Sequence, residues 1–295
     1  AQYLDINTYS FDVVIFDEAS QIPTSEAIGA IARGKSVIIA GDQEQMPPTS
    51  FFVANGGHAY DGTILNSVSE DLESLLDDSI ALGLPRERLI WHYRSRHEAL
   101  IAFSNNKFYD NSLFTFPSAV NEKSSVKSIY VGGTYEIKRG VNRKEASMIV
   151  DEIARRLKNP KLSSYSIGVV TFNEAQQNLI EDLIEKKIPS YESKNPGGET
   201  IFVKNLENVQ GDERDVILFS TTYAPKDNGK LSLNFGPLSR EKGERRLNVA
   251  ITRAREEMIV FTSMKPEDIE SDKAKNAGAS YLKSFLLFAE HGTSI

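Results

Sequence analysis

Residues 29–42 read GAIARGKSVIIAGD, and their interpretation decides the fold. The first eight satisfy the phosphate-loop pattern G-x-x-x-x-G-K-[ST] through Gly29, Gly34, Lys35 and Ser36. That pattern cradles phosphates only where a strand delivers the chain to the loop and a helix leaves it, so that backbone amides and a helix N-terminus face the anion. Here the order is reversed. Upstream, TSEAIGAIARG predicts a short helix with Thr24 as N-cap, Ala27, Ile28 and Ile31 on one face, and Gly34 as the C′ residue. Downstream, SVIIAGD is a β-branched apolar run that predicts a buried parallel strand. A helix-to-strand joint turns carbonyls toward the loop, so the match is a decoy.

The chain has 295 residues, enough for one large or two ordinary domains. No apolar run approaches a membrane span and no leader pattern precedes the first strand, so no membrane partner is expected. The sequence holds no cysteine, which removes disulfides and thiolate metal sites and fits a cytoplasmic setting. A net charge of −7 opposes wrapping of duplex DNA by bulk electrostatics but leaves room for a local basic groove. Cations cluster at Lys138, Arg139, Arg143 and Lys144, and again at Arg240, Lys242, Arg245, Arg246, Arg253 and Arg255. A solvated helix face and a nucleic-acid contact both fit such clusters.

Strand-like and helix-like segments alternate along the chain, predicting α/β layers around a mostly parallel sheet. FDVVIFD, SVIIAGD, RLIWHYRS, VKSIYVGG, SIGVVTFN, TIFVKNL, RDVILFSTTY and EEMIVFTS read as strands. EDLESLLDDSIALG, RHEALIAFSNNKFY, NRKEASMIVDEIARRL, EAQQNLIEDLIEKK, GERRLNVAITRA and GASYLKSFLLFAE read as helices. The loop ANGGHAYDGT, residues 54–63, suits a linker, and its His58 has no second ligand-type residue nearby to make a metal site.

VVIFDEASQ is the most informative stretch. An apolar strand ending in adjacent carboxylates, Asp17 and Glu18, suits a magnesium ligand beside a group that activates water, although two such carboxylates can also cap a following helix. One helix and one strand later, GDQEQMPPT places Gln45 at a second strand's C-terminal edge, where open α/β sheets bind ligands.

Together with WHYRSRHEAL, VVTFNEAQ, NLENVQGDERDVI and RRLNVAITRAR, these motifs resemble superfamily 1 helicases of the branch containing the eukaryotic nonsense-mediated-decay helicase. The matches run in family order over most of the chain. NFGPL ahead of the last one is most similar to large bacterial multidomain helicase-like proteins, often fused to a nuclease domain. The resemblance implies RecA-like P-loop NTPase folds with ATP hydrolysed where two such domains meet, using ATP and Mg2+, on single-stranded DNA or RNA. It implies that Asp17 holds the metal, Glu18 polarises the attacking water and Gln45 senses the γ-phosphate. Tyr93 then stacks on the base, Arg94 and Arg253 are arginine fingers, and Gln210, Gly211 and Glu213 lie by the nucleotide, with Glu213 accepting from the ribose. Thr171 touches the nucleic-acid backbone.

The sequence departs from the family pattern in VTFN, in Glu207 and in Glu98, all in segments tied to nucleic acid. The family's phosphate loop lies upstream of DEAS, and this chain opens with Ala1 shortly before it. The expectation is therefore a piece of a longer polypeptide. Residues 1–60 end a truncated first RecA-like domain, 61–84 connect, 85–270 form a complete second domain, and 271–295 form a C-terminal helix or linker. The partner is the remaining polypeptide, with its phosphate-loop half. A binding module without turnover is the alternative, against which the co-occurrence of Glu18, Arg94 and Arg253 weighs. A small-molecule P-loop kinase would rest on the decoy alone.

Overall fold

The computed structural model describes residues 5, 10–48, 74–117, 125–188, 198–226 and 229–292. The linker reading for 54–63, with His58, lies outside them. Internal contacts divide the chain into two units, Ala1–Leu89 and Ile90–Ile295.

In the first unit, β1 (Phe11–Phe16) pairs in parallel with β2 (Gly34–Ile39), in register from Phe11 opposite Gly34 to Phe16 opposite Ile39. Helix α1 (Thr24–Ile31) connects them, and α2 (Leu75–Ala81) packs nearby, with Ala19, Ala27 and Leu75 fully buried. The decoy therefore is a helix-to-strand joint. Its details differ from the sequence reading. Pro23, not Thr24, is the N-cap, and the Thr24 hydroxyl donates instead to the Asp78 carboxylate. Ile28 is exposed, so the buried stripe is narrower than expected. Gly34 is not a left-handed C′ residue; it opens β2, where an added Cβ would lie 2.7 Å from Val14 Cγ2, and glycine lets the strands close. Lys35 Nζ donates to Asp12 Oδ1 at 2.7 Å on β1. The strands are parallel but not buried: Val13, Ile15 and Ile38 are 46%, 66% and 53% exposed. Among the described residues of this unit, two strands and two short helices do not cover both faces of the sheet.

The second unit contains a five-stranded, all-parallel sheet in the order β3 (Val126–Tyr130), β7 (Ala254–Thr262), β6 (Arg214–Ser220), β4 (Ile167–Thr171), β5 (Phe202–Asn205). Strand alternation sends Ile167, Val169, Val216 and Leu218 to one face, against Ile149, Val150 and Ile153 of α4 (Arg143–Lys158) and Ile180 and Ile184 of α5 (Glu174–Lys187). Phe219 points to the other, meeting Phe285 of α7 (Gly278–His291), which in turn touches Phe103 of α3 (Ala99–Phe108). Helix α6 (Glu244–Ile251) packs beside α3 and α7. Each such buried side chain contributes about 1.5–3 kcal/mol, which gives this sheet the two-sided cover that β1 and β2 lack. The α/β class with a mostly parallel sheet flanked by helices holds. RLIWHYRS is the exception among the strand readings: it runs extended with a single bridge, Trp91 to Phe114, and Trp91 stacks on Phe116. Its alternating aromatics mimic a strand without a neighbour to complete a ladder.

Candidate functional site

The first unit gathers its candidate residues at the C-terminal ends of β1 and β2. Asp17 and Glu18 follow β1 directly, and Glu18 takes a left-handed backbone, φ 52°, as it starts a single 3-10 turn, Ala19–Gln21. Its N–H donates to Asp17 Oδ1 at 2.9 Å, and a β-carbon-bearing residue in this conformation stores on the order of 1 kcal/mol. Both carboxylates are exposed. Ala19 N donates to Ala40 O at 2.9 Å, binding the two strand ends together, and beyond them Gln45 Nε2 donates to Asp42 Oδ2 at 3.0 Å. Among the described residues no three His, Cys, Asp or Glu side chains converge on a metal position. Magnesium keeps several waters and takes one or two carboxylates plus phosphates, and the exposed Asp17 fits that donor set.

The second unit places its candidates at the opposite, N-terminal edge of its sheet. Glu213 and Arg253 immediately precede the starts of β6 and β7, and Arg214 lies opposite Ala254 in the ladder. Arg94 reaches Glu213 and the residue before Arg253: its Nε donates to Glu213 Oε2 at 2.5 Å and its Nη1 to Thr252 O at 3.5 Å. Arg253 is buried and braced by Val249 O, 2.7 Å from its Nε, and by Thr252 Oγ1, 2.9 Å from its Nη2. Gly211 has φ 86°, a conformation in which L side chains are strained. It follows Gln210, on the loop leading to Glu213. Tyr93 stands beside this group 86% exposed, with its ring open to a planar ligand.

Thr171 lies elsewhere, at the C-terminal end of β4, and is fully buried. Its hydroxyl donates to Asn173 O at 2.8 Å. The side chain that was expected on nucleic acid is turned inward, because the chain bends sharply there to let Asn173 cap α5. The exposed cations of this edge are Lys138 and Arg139 in the loop after β3, Arg143 and Lys144 in the first turn of α4, and Lys265 after β7; the carboxylates Glu174, at the start of α5, and Glu267 are exposed there too. Glu136 pairs with Arg143 at 2.8 Å and Arg139 at 3.6 Å. The later basic cluster is more fully neutralised. Glu207 bridges Arg240 and Arg246, while Arg255 is held by Glu199 and Asp215.

Two AAA domain family models match the chain, one over residues 1–52 and one over residues 72–265. The chain belongs to the AAA domain family. The uncharacterized ATP-dependent helicase MG140 of Mycoplasma genitalium is 36% identical over 95% of the chain, which spans 25% of that relative. The regulator of nonsense transcripts 1 homolog of Arabidopsis thaliana is 26% identical over 89% of the chain, which spans 20% of it. This AAA domain chain thus spans about a quarter or less of these curated relatives, and it sits in the superfamily 1 branch of the nonsense-mediated-decay helicase, with RecA-like folds. Among solved structures, an arterivirus nonstructural protein 10 helicase in complex with DNA aligns with TM-score 0.41 at 13% identity, over 90% of this chain and 43% of that one.

Two further residues of this AAA domain chain belong to the site description. His92 sits between Arg94 and Arg253; burial first, then those two cations, pull its pKa down to about 4. Its neutral Nε2 accepts from Ser95 N at 3.2 Å, which holds the turn carrying Tyr93 and Arg94. The position of His92 within WHYRSR, two residues before Arg94, was the one signal the sequence offered for it. Arg255 donates through Nε to Asp215 and through Nη2 to Glu199 and Ser166, knitting the starts of β4, β6 and β7. Burial works against the Asp215 carboxylate, yet Ser166 and Arg255 hold it below the usual range. No helix among the described residues is long and apolar enough to cross a membrane.

Proposed function

We propose that this helicase core works in an ATP-driven translocase acting on single-stranded nucleic acid. Asp17 binds Mg2+, Glu18 polarises the attacking water and Gln45 senses the γ-phosphate. Arg94 and Arg253 stabilise the charge spreading over the transferred phosphoryl group, which planar guanidinium groups suit. Tyr93 stacks on the base, and Gln210, Gly211 and Glu213 line the nucleotide. The observation that carries this reading is the convergence of Arg94, Glu213 and Arg253 on one sheet edge from segments far apart in sequence. Two guanidinium groups and a carboxylate gathered there suit the phosphates and ribose of a nucleotide.

In this reading the phosphate cradle comes from outside the chain, because the one G-x-x-x-x-G-K-S match has its lysine on Asp12 and runs from helix to strand. The apolar faces of β1 and β2 are then the end of a larger sheet, residues 1–60 finishing a first RecA-like domain and 85–270 forming the second. Nucleic acid lies along the cations of the opposite edge of the second sheet, and the remainder of the parent polypeptide, with or without a nuclease domain, is the partner. The setting is cytoplasmic. The test is steady-state ATPase activity with and without single-stranded DNA or RNA. The chain alone should be inactive, and the same chain extended upstream to include a strand–loop–helix phosphate cradle should turn over and lose turnover on Glu18→Gln. Robust turnover by the isolated chain that vanishes on Glu18→Gln would contradict the proposal that the cradle lies outside it.

A further inference from the structure

Helix α4 opens with Asn142-Arg143-Lys144-Glu145, the spacing of a capping box in which the glutamate returns to the N-cap amide. Asn142 performs its half: its Oδ1 accepts from Glu145 N at 3.2 Å. The Asn142 amide, however, is taken by Gln176 Oε1 of α5 at 2.8 Å, and the Glu145 carboxylate turns away into the protein. Its Oε2 accepts from Ser220 Oγ at 2.7 Å and from Thr222 N at 2.8 Å, at the end of β6. Its Oε1 accepts from Ser263 Oγ at 2.7 Å, just past β7, and from Asn142 Nδ2 at 3.1 Å. Ser263 Oγ in turn accepts from Gly133 N at 3.0 Å, and Gln176 Nε2 donates to Asn142 O and to Ser220 Oγ. One fully buried carboxylate thus ties the loop after β3, the exits of β6 and β7, and the start of α5.

We propose that Glu145 is a positioning residue for single-stranded nucleic acid, its carboxylate fixing the loops that carry cations at the C-terminal edge of the second sheet. The proposal rests on the reading of that edge given above. A buried carboxylate is costly, and burial drives its pKa up to about 7 even against the hydrogen bonds it accepts from Ser220, Ser263 and Thr222. Apolar side chains of similar volume often stabilise such a position as well or better, so packing alone does not explain a carboxylate here. What it secures is local geometry. Thr222 is held left-handed, φ 66°, with its hydroxyl buried and without a hydrogen-bond partner, and its amide is fastened by Glu145. The next residue, Tyr223, packs its ring 4.9 Å from that of Tyr135, inside the loop that exposes Lys138 and Arg139. Fixed cations along one edge are what phosphate contacts need in a chain of net charge −7.

The experiment measures binding of fluorescent oligo-dT or oligo-U to the 295-residue chain by anisotropy at two salt concentrations, with thermal melting alongside. The His92 imidazole resonance serves as a reporter of the opposite edge. Glu145→Gln keeps an acceptor for Thr222 N, and the serine hydroxyls can rotate, so affinity should stay within about threefold of wild type. Glu145→Leu should lose about tenfold or more in affinity and show a shallower salt dependence, with the His92 resonance unmoved. Should that variant not fold, Ser220→Ala and Ser263→Ala each remove one donor and should each weaken oligonucleotide binding. Leucine or serine variants that bind like wild type would overturn the proposal. So would affinity that falls only in step with folded fraction and with disturbance of His92, since that marks a merely structural role. A wild-type chain that binds neither oligonucleotide would overturn the nucleic-acid reading itself, and this proposal with it.

Discussion

Arg94 and Glu213 hold one another at 2.5 Å across 119 residues of sequence, and each is about one-third exposed. The proposed finger is therefore parked on the proposed ribose acceptor. Arg255 lies 3.6 Å from the other oxygen of Glu213, so that carboxylate keeps a cationic neighbour when Arg94 leaves it. An exposed pair of this kind contributes about 0–1 kcal/mol, small enough for nucleotide phosphates to break.

In a catalytically competent parent, Arg94→Ala and Arg253→Ala should each lower kcat by about 10³-fold while changing nucleotide affinity less, because their charge matters most as the transition state forms. Lysine should rescue little, lacking the planar fork. Steady-state kinetics with melting temperatures decide this. The double mutant should lose less than the product of the singles, since both act on one phosphoryl group. Near-normal kcat in both single mutants with intact folding would refute the assignment.

Lys35→Ala should leave nucleotide binding and turnover unchanged and shift stability by less than about 0.5 kcal/mol, because its partner Asp12 and its own ammonium are both largely solvated. A phosphate-loop lysine would behave oppositely. Isothermal titration with an ATP analogue separates the two.

His92 and Glu145 should give the folded second unit opposing pH slopes. The His92 pKa falls from 6.5 to about 4 on folding, so its contribution is present above pH 6.5 and is lost as pH drops toward 4. The Glu145 pKa rises from 4.5 to about 7, so its contribution is present below pH 4.5 and is lost as pH climbs through 7, by roughly 3 kcal/mol in all. Glu152, Asp215 and Glu257, whose partners outweigh their burial and hold them below the usual carboxylate range, act at lower pH. Between pH 5 and 7, Glu145→Gln should make stability rise with pH, and His92→Asn should make it fall. Melting temperatures at the two pH values check both signs; identical slopes in wild type and both variants would contradict the assignments.

Thr171→Val should cost about 1 kcal/mol through loss of the buried hydrogen bond to Asn173 and leave the salt dependence of oligonucleotide binding untouched. A shallower salt slope with unchanged stability would restore Thr171 as a backbone contact. Chemical denaturation paired with anisotropy distinguishes these outcomes.

Local pattern determined most of the elements. Apolar β-branched runs such as IGVVT and RDVILFS can bury both faces only inside a parallel sheet, and Asn142 and Asn173 mark the helix starts that follow. The helix-before-strand order around GAIARGKS was equally legible, because capping and periodicity act over a few residues. Tertiary structure decided what those short ranges cannot hold. It left Val13, Ile15 and Ile38 bare, since cover depends on how many strands and helices assemble around them. It denied RLIWHYRS a ladder, since a strand is defined by its neighbour. It turned Thr171 inward while leaving lysines and arginines outside, since the sharp bend after β4 fixes where the hydroxyl finds its acceptor. It also drew Glu145 out of an ordinary capping box, because Gln176 takes the N-cap amide while Ser220, Thr222 and Ser263 donate to the carboxylate. Hydrogen-bond satisfaction in a buried space depends on partners that only folding brings within 3 Å or so, and no spacing along the chain encodes them directly.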